Sequence, residues 1–183
     1  METIPFLELL HRGQRRQTGN KFTSHLYAVR DLLSAAGIED EEILDAALYH
    51  DVLEDSALTR EFLEFQCGTS IATIVETLTK SGLWLTRYCK AKHAAAQLES
   101  GLEQCPKAAV IKIADRLHNV STIRGFSRPK QLLYLSETEQ FLLPLFRRWL
   151  NDERLAAYRG PMQVLVQYLE EEVACKRTTT AHA

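Results

Sequence analysis

Four side chains able to hold a divalent ion lie on or beside apolar helical faces of this chain: His25, His50, Asp51 and Asp115. Two imidazoles and two carboxylates suit a borderline cation such as Mn, Fe, Co or Zn, with positions left open for water or a substrate. The densest stretch is 46–55, where an apolar approach ends in His50, Asp51, Glu54 and Asp55. On one continuous helix His50 and Glu54 lie four apart, as do Asp51 and Asp55, so these side chains share neighbouring surface. Three acids there repel one another, at a cost that falls only if a cation neutralises them or some hold a proton. A bound metal is the reading adopted. A lone buried histidine is more often a hydrogen-bonded core residue, so the adjacent His50 and Asp51 weigh more than His25.

The elements that must position these groups read as helices throughout. Apolar residues recur at three and four, glycines and prolines are few, and no strand pattern emerges. Phe6, Leu9 and Leu10 give a first helix its apolar face; the basic stretch 11–21, interrupted by Gly13 and Gly19, reads in its latter half as a loop or a frayed helix end. Thr23 or Ser24 caps a helix carrying His25, Val29 and Leu33 and ending at Gly37. Asp40 caps the next, whose inward face is Ile43, Ala46, Ala47 and His50. Thr59 starts a short helix through Phe62 and Phe65, and another runs over 70–80. A further helix over 83–99 ends in a loop at Ser100 and Gly101. Pro106 opens a strongly apolar helix over 107–120, where Asp115 and Asn119 share a face beside His118 and the stripe Val110, Ile113, Ala114 and Leu117. Two amphipathic helices, 131–153 with a kink at Pro144 and 161–176, cover the core. The expectation is one all-α bundle over residues 1–176 with a loose tail over 177–183.

A chain of 183 residues with 45% hydrophobic and 25% charged residues is ordinary for one globular domain with a real core. A net charge of −2 argues against a general nucleic-acid binder. Cys67, Cys89, Cys105 and Cys175 form no CxxC pair and no disulfide framework, and read as free thiols. No apolar run approaches the roughly 20 residues that span a bilayer, and no leader pattern opens the chain, so a cytoplasmic protein without membrane partners is expected.

The order His25, His50-Asp51 and Asp115 within Ile113-Ala114-Asp115-Arg116-Leu117-His118-Asn119 resembles the HD-domain phosphohydrolase superfamily. His11-Arg12-Gly13-Gln14-Arg15-Arg16-Gln17-Thr18-Gly19, followed by His50-Asp51-Val52-Leu53-Glu54-Asp55, is similar to the hydrolase domain of the RelA/SpoT-homologue family. With no room for a synthetase domain, the chain most resembles the small alarmone hydrolases, over about residues 10–123. The resemblance implies a compact HD-type helical bundle and Mn²⁺, or another divalent metal, held by His25, His50, Asp51 and Asp115. It implies hydrolysis of guanosine tetra- or pentaphosphate at the 3′ position to pyrophosphate and GDP or GTP. It assigns Glu54 and Asp55 to orient or deprotonate the attacking water, and Arg16, Asn119 and Thr122 to contact the nucleotide. His118 is not carried over as a ligand and reads as structural. Lys80, Arg87, Lys90, Lys92 and Arg124 either add positive potential for a polyphosphate or form a solvated face.

Leu26 stands where the family often has proline, Lys21-Phe22 replaces a Pro-Tyr pair, Leu78-Thr79-Lys80-Ser81 replaces Val-Thr-Lys-Leu, and Ser121 replaces a common basic residue. None of these removes a metal ligand; all bear on substrate choice. Two other readings stand beside the first: the same metal site acting on another nucleotide, such as an adenosine alarmone or NADPH, and a nucleotide-binding HD domain without turnover. The oligomeric state is not legible.

Overall fold

The computed structural model describes residues 3–80 and 87–182, and among them all regular structure is helical. In chain order the helices are α1 (Thr3–Leu10), α2 (Thr23–Ala35), α3 (Glu41–Tyr49), α4 (Val52–Asp55), α5 (Arg60–Cys67), α6 (Thr69–Leu78), α7 (Arg87–Gln104), α8 (Ala108–Ser121), α9 (Arg128–Glu137), α10 (Leu143–Trp149) and α11 (Arg159–His182). The all-α expectation is borne out. The central element is α8, which packs against α2, α3, α6, α10 and α11. Apolar residues nearly all round this helix, including Val110, Ile111, Ile113, Ala114 and Leu117, explain why it is enclosed. A smaller apolar cluster joins Phe6, Leu7, Leu26, Tyr49, Val52 and Leu63 beneath α1 and α5.

Several local signals act as the sequence suggests. Asp40 accepts a hydrogen bond from the Glu42 amide at 3.0 Å, and Thr59 accepts one from Phe62 at 3.3 Å, each satisfying an otherwise unpaired helix-start donor. Gly13 and Gly19 take positive φ (81° and 86°) in the loop before α2, a conformation glycine adopts without strain. Cys67, Cys105 and Cys175 are free.

Other signals act differently. Thr23 and Ser24 cap nothing: their hydroxyls donate to Glu8 and to the Lys21 carbonyl. On α1 the buried pair is Phe6 and Leu7, and Leu9 is exposed. Phe65 is also exposed. Ser100 and Gly101 do not end a helix, because α7 runs through to Gln104. Gly101 serves close approach, since a Cβ there would lie 2.9 Å from the Thr77 methyl group on α6. Pro144 is accommodated by a π turn over Thr138–Leu142 between α9 and α10. The last helix continues to His182, through residues the sequence reads as a tail, and the Thr180 hydroxyl reaches Gln131 at 3.2 Å. The start of the expected 83–99 helix lies outside the described residues. No helix among the described residues is long and apolar enough to cross a membrane.

Candidate metal centre and its cleft

The helix expected to run through 46–55 is broken at the point where chemistry is concentrated. α3 ends at Tyr49, and Asp51 takes φ −103°, ψ −1° before α4 begins at Val52. The Asp51 carbonyl accepts from both Glu54 and Asp55 amides, at 3.1 and 2.9 Å, in a tightened turn. The four polar residues therefore do not share one helical face. Asp51 turns inward to the histidines, while Glu54 turns to Lys80, accepting from its amide at 2.8 Å and pairing with its ammonium at 3.2 Å.

Three helices and this turn bring His25, His50, Asp51 and Asp115 together. His25 Nε2 and His50 Nε2 are 3.1 Å apart. Asp51 Oδ2 lies 3.4 Å from the first and 3.2 Å from the second. Asp115 Oδ1 lies 3.2 and 3.7 Å from the same two nitrogens. Donors about 2.1 Å from a common ion, at tetrahedral to octahedral angles, stand about 3.0 to 3.4 Å from one another. All but the 3.7 Å separation of His50 and Asp115 fall in that range. Donor atoms of His25, His50 and Asp51 all fall within 4.8 Å of each other.

The groups behind the cluster fix its orientation. His50 Nδ1 donates to the Ala47 carbonyl at 2.7 Å, which leaves Nε2 to face the site. His25 Nδ1 lies 2.7 Å from His118 Nδ1, so one proton bridges the two rings; with that proton on His25, its Nε2 also presents a lone pair. The Asp115 carboxylate divides its oxygens: Oδ2 takes the buried Lys112 ammonium at 2.8 Å, and Oδ1 takes the Asn119 amide at 2.5 Å. Lys112 and the His118 partnership were not recognised in the sequence as site features. The spacing of Lys112, three residues before Asp115, was the available signal.

Burial alone would strip charge from these groups, and the cluster reverses that tendency. Burial pulls the His50 imidazolium down, but Asp51 and then Asp115 push its pKa up to about 10. Burial raises the Asp51 and Asp115 carboxyls, yet His50 and His25 hold Asp51 low, and Lys112 with the two histidines holds Asp115 well below its ordinary value. The site demands positive charge, supplied by a proton or by a cation. His118 is pushed down to about 4 by burial, then by His25 and Arg16, and stays a neutral acceptor. At the cavity mouth the protein around the Asp55 carboxyl, then Asp51 and Glu54, push its pKa up.

The cluster stands between two cavities. The larger, about 610 Å³, is lined by Glu54, Asp55, Lys80, Lys90, Lys112, Asp115, Arg116, Lys130 and Tyr134 among others. The smaller, about 260 Å³, is lined by Arg15, Arg16, Gln17, Phe22 and His25. Asp51, Asp55, Asn119 and Phe126 border both. Arg16 reaches Asn119 Oδ1 at 2.5 Å, and its loop is seated against Gly125, where a Cβ would meet the Thr18 methyl at 2.8 Å. Thr122 lines neither cavity and donates to the His118 carbonyl at 2.8 Å. Lys80 and Lys90 line the larger cavity; Lys92 and Arg124 line neither, and the Arg87 side chain lies outside the described residues.

Fold and site together define an all-helical domain with a candidate His/Asp metal centre at the junction of two charged cavities. The chain belongs to the HD domain family, whose model matches residues 4–148. It is 34% identical over 143 residues to a GTP pyrophosphokinase of Streptomyces coelicolor, covering 77% of this chain and 16% of that protein. It is 32% identical over 149 residues to a guanosine-3′,5′-bis(diphosphate) 3′-pyrophosphohydrolase of Aquifex aeolicus, covering 78% of this chain and 20% of that protein. The chain thus spans about a fifth or less of these curated relatives. A solved structure described as a metazoan ortholog of SpoT that hydrolyses ppGpp superposes with a TM-score of 0.76 at 24% identity, covering 96% of this chain and 94% of that one.

Proposed function

We propose that this chain is a metal-dependent 3′-pyrophosphohydrolase acting on guanosine tetra- and pentaphosphate. The observation that carries this reading is the convergence of His25, His50, Asp51 and Asp115 at ligand spacing, in an HD-family chain whose relatives include a named 3′-pyrophosphohydrolase. The four side chains would hold the ion, with Mn²⁺ the choice implied by the family resemblance. When bound, a divalent ion there polarises a phosphoryl oxygen and acidifies water.

The protein's own residues do the remainder. Asp55, its pKa raised and its backbone carbonyl tied to Gln14 at 3.2 Å, is suited to take a proton from the attacking water. Glu54, anchored by the Lys80 amide and ammonium, fixes the water's approach. Water oxygen adds to the inner phosphorus, the bond from that phosphorus to the ribose 3′ oxygen breaks, and that oxygen leaves with a proton. Pyrophosphate and GDP or GTP are the products. Arg16 and Asn119 hold the nucleotide side, Arg16 being suited to stack on a base or grip a phosphate.

Metal-loaded protein incubated with guanosine tetraphosphate should release GDP and pyrophosphate, identified by mass, and a chelator should stop it. A panel including adenosine alarmones and NADPH measures selectivity. Intact guanosine tetraphosphate beside an active control hydrolase would sink the proposal.

A further inference from the structure

Arg116 follows Asp115 directly on α8 yet takes no part in the cluster. Its guanidinium carbon sits 4.0 Å from the centre of the Tyr134 ring, and Nη1 approaches the Thr138 hydroxyl oxygen at 3.4 Å. Thr138 is fully buried at the start of the π turn and donates to the Tyr134 carbonyl at 2.8 Å. Ring and hydroxyl are thereby fixed relative to each other, and the guanidinium lies on a prepared surface. Among the described residues Arg116 joins no ion pair, whereas Arg60, Arg147, Arg154 and Arg177 each meet a carboxylate. A half-buried, oriented guanidinium with its charge unanswered is configured for an arriving anion, and its fork matches phosphate.

The placement says which phosphate. Arg16 and Phe22 line only the smaller cavity, Arg116 lines only the larger, and the His/Asp cluster stands between them. A substrate held by its nucleoside in the smaller cavity, with its inner phosphorus at the cluster, extends its outer phosphoryl group into the larger one. We propose that Arg116 binds this outer phosphoryl group, making it the residue that separates a 3′-pyrophosphate ester from a 3′-monophosphate ester. The proposal rests on the hydrolase reading for its substrate, but the anion site itself is testable without turnover.

The probes are inorganic pyrophosphate and inorganic phosphate, titrated calorimetrically into Mn²⁺-loaded protein, with KM and kcat for guanosine tetraphosphate measured alongside. Arg116→Gln should weaken pyrophosphate binding about tenfold or more and raise KM similarly, with phosphate affinity little changed. Arg116→Lys should recover only part of the loss, because a point charge cannot replace the fork. Tyr134→Leu, which removes the platform but keeps the arginine, should fall between. Wild-type affinity and KM in Arg116→Gln would overturn the assignment, as would equal losses for both anions or failure of wild-type protein to bind pyrophosphate. If Arg116→Gln does not fold, the Lys and Leu variants decide by the same readouts. Arg116-dependent pyrophosphate binding in a protein that leaves guanosine tetraphosphate intact would keep this site and remove the hydrolase reading; cleavage with unchanged variants would do the reverse.

Discussion

At the N-terminal end of α8, Lys107 donates to Asp40 at 2.9 Å and pairs with Glu42, while Tyr158 donates to Asp40 at 2.5 Å and Ser70 to Glu42. Eight residues on from Lys107, about 12 Å along the helix, Asp115 gives one oxygen to Lys112 and turns the other to the histidine pair. Each cluster holds a lysine and two carboxylates where α8 meets the region of α3, but Lys107 reaches across to Asp40 and Glu42, whereas Lys112 pairs within α8 and Asp115 makes the crossing to the histidines. In the first, every charged group finds a partner and the cluster holds helices together. In the second, the two carboxylates meet one lysine and imidazoles whose positive charge depends on an exchangeable proton, beside open cavities. A charge answered by a proton that a cation can displace, on groups held rigidly from behind, marks the second cluster as the functional one.

Removing Asp115 is the largest perturbation of this contrast. Asp115→Ala should lose bound metal by elemental analysis and turnover by about a thousandfold or more, since a metal supplies several kcal/mol to phosphoryl chemistry. It also strands the buried Lys112 ammonium, at a cost of about 3–5 kcal/mol in unfolding free energy. Retained metal and turnover would mean that the second cluster is closed like the first.

Proton competition gives the next effect. In the metal-free protein the raised pKa of His50, about 10, contributes stability below its ordinary value of 6.5 that is lost as pH rises through about 10. Metal must displace that proton, so apparent affinity should rise by about tenfold per pH unit across the neutral range. Calorimetry in buffers of different ionisation enthalpy would count the released proton; a pH-independent affinity would show that His50 is already neutral.

The contrast between the clusters also divides what the sequence made legible from what it did not. Asp40 was readable as a cap because capping is local, and the buried face of α8 followed from its periodicity. The turn at His50 and Asp51 was hidden, since apolar residues continue through Val52 and Leu53 and nothing in their spacing announces a break. Gly101 carried the ordinary mark of a helix end, but its cause is Thr77 on another helix. The four metal-type residues were recognisable by kind and order, and the structure brings them together. Lys112, His118 and Arg116 were not assigned site roles because those depend on which neighbouring helix each side chain meets.

His118 offers a gentler test of the support behind the metal centre. His118→Ala removes the partner of His25 Nδ1 without touching a proposed ligand. Metal affinity should weaken about 10- to 100-fold, as for other groups that orient ligating histidines. Excess metal should then restore most turnover. Loss of turnover that metal does not restore would place His118 in the chemistry itself.

The smallest effect is expected at the closed cluster. Lys107→Met should leave metal content and turnover unchanged and lower stability by about 1 kcal/mol, because its partners are partly solvated. Tyr158 and Lys107 hold the Asp40 carboxyl low against the opposing effect of burial, and Lys107 then Ser70 hold Glu42 low. Depressed carboxylates contribute stability that is present above their ordinary range and lost as pH falls through their folded values. The difference between wild type and Lys107→Met, read from denaturant midpoints, should therefore be full at neutral pH and fade in acid. A gap that persists in acid would assign the lysine's contribution to packing of its stem on Asp40 and Tyr158, and a loss of metal would couple the two ends of α8 that the structure keeps apart.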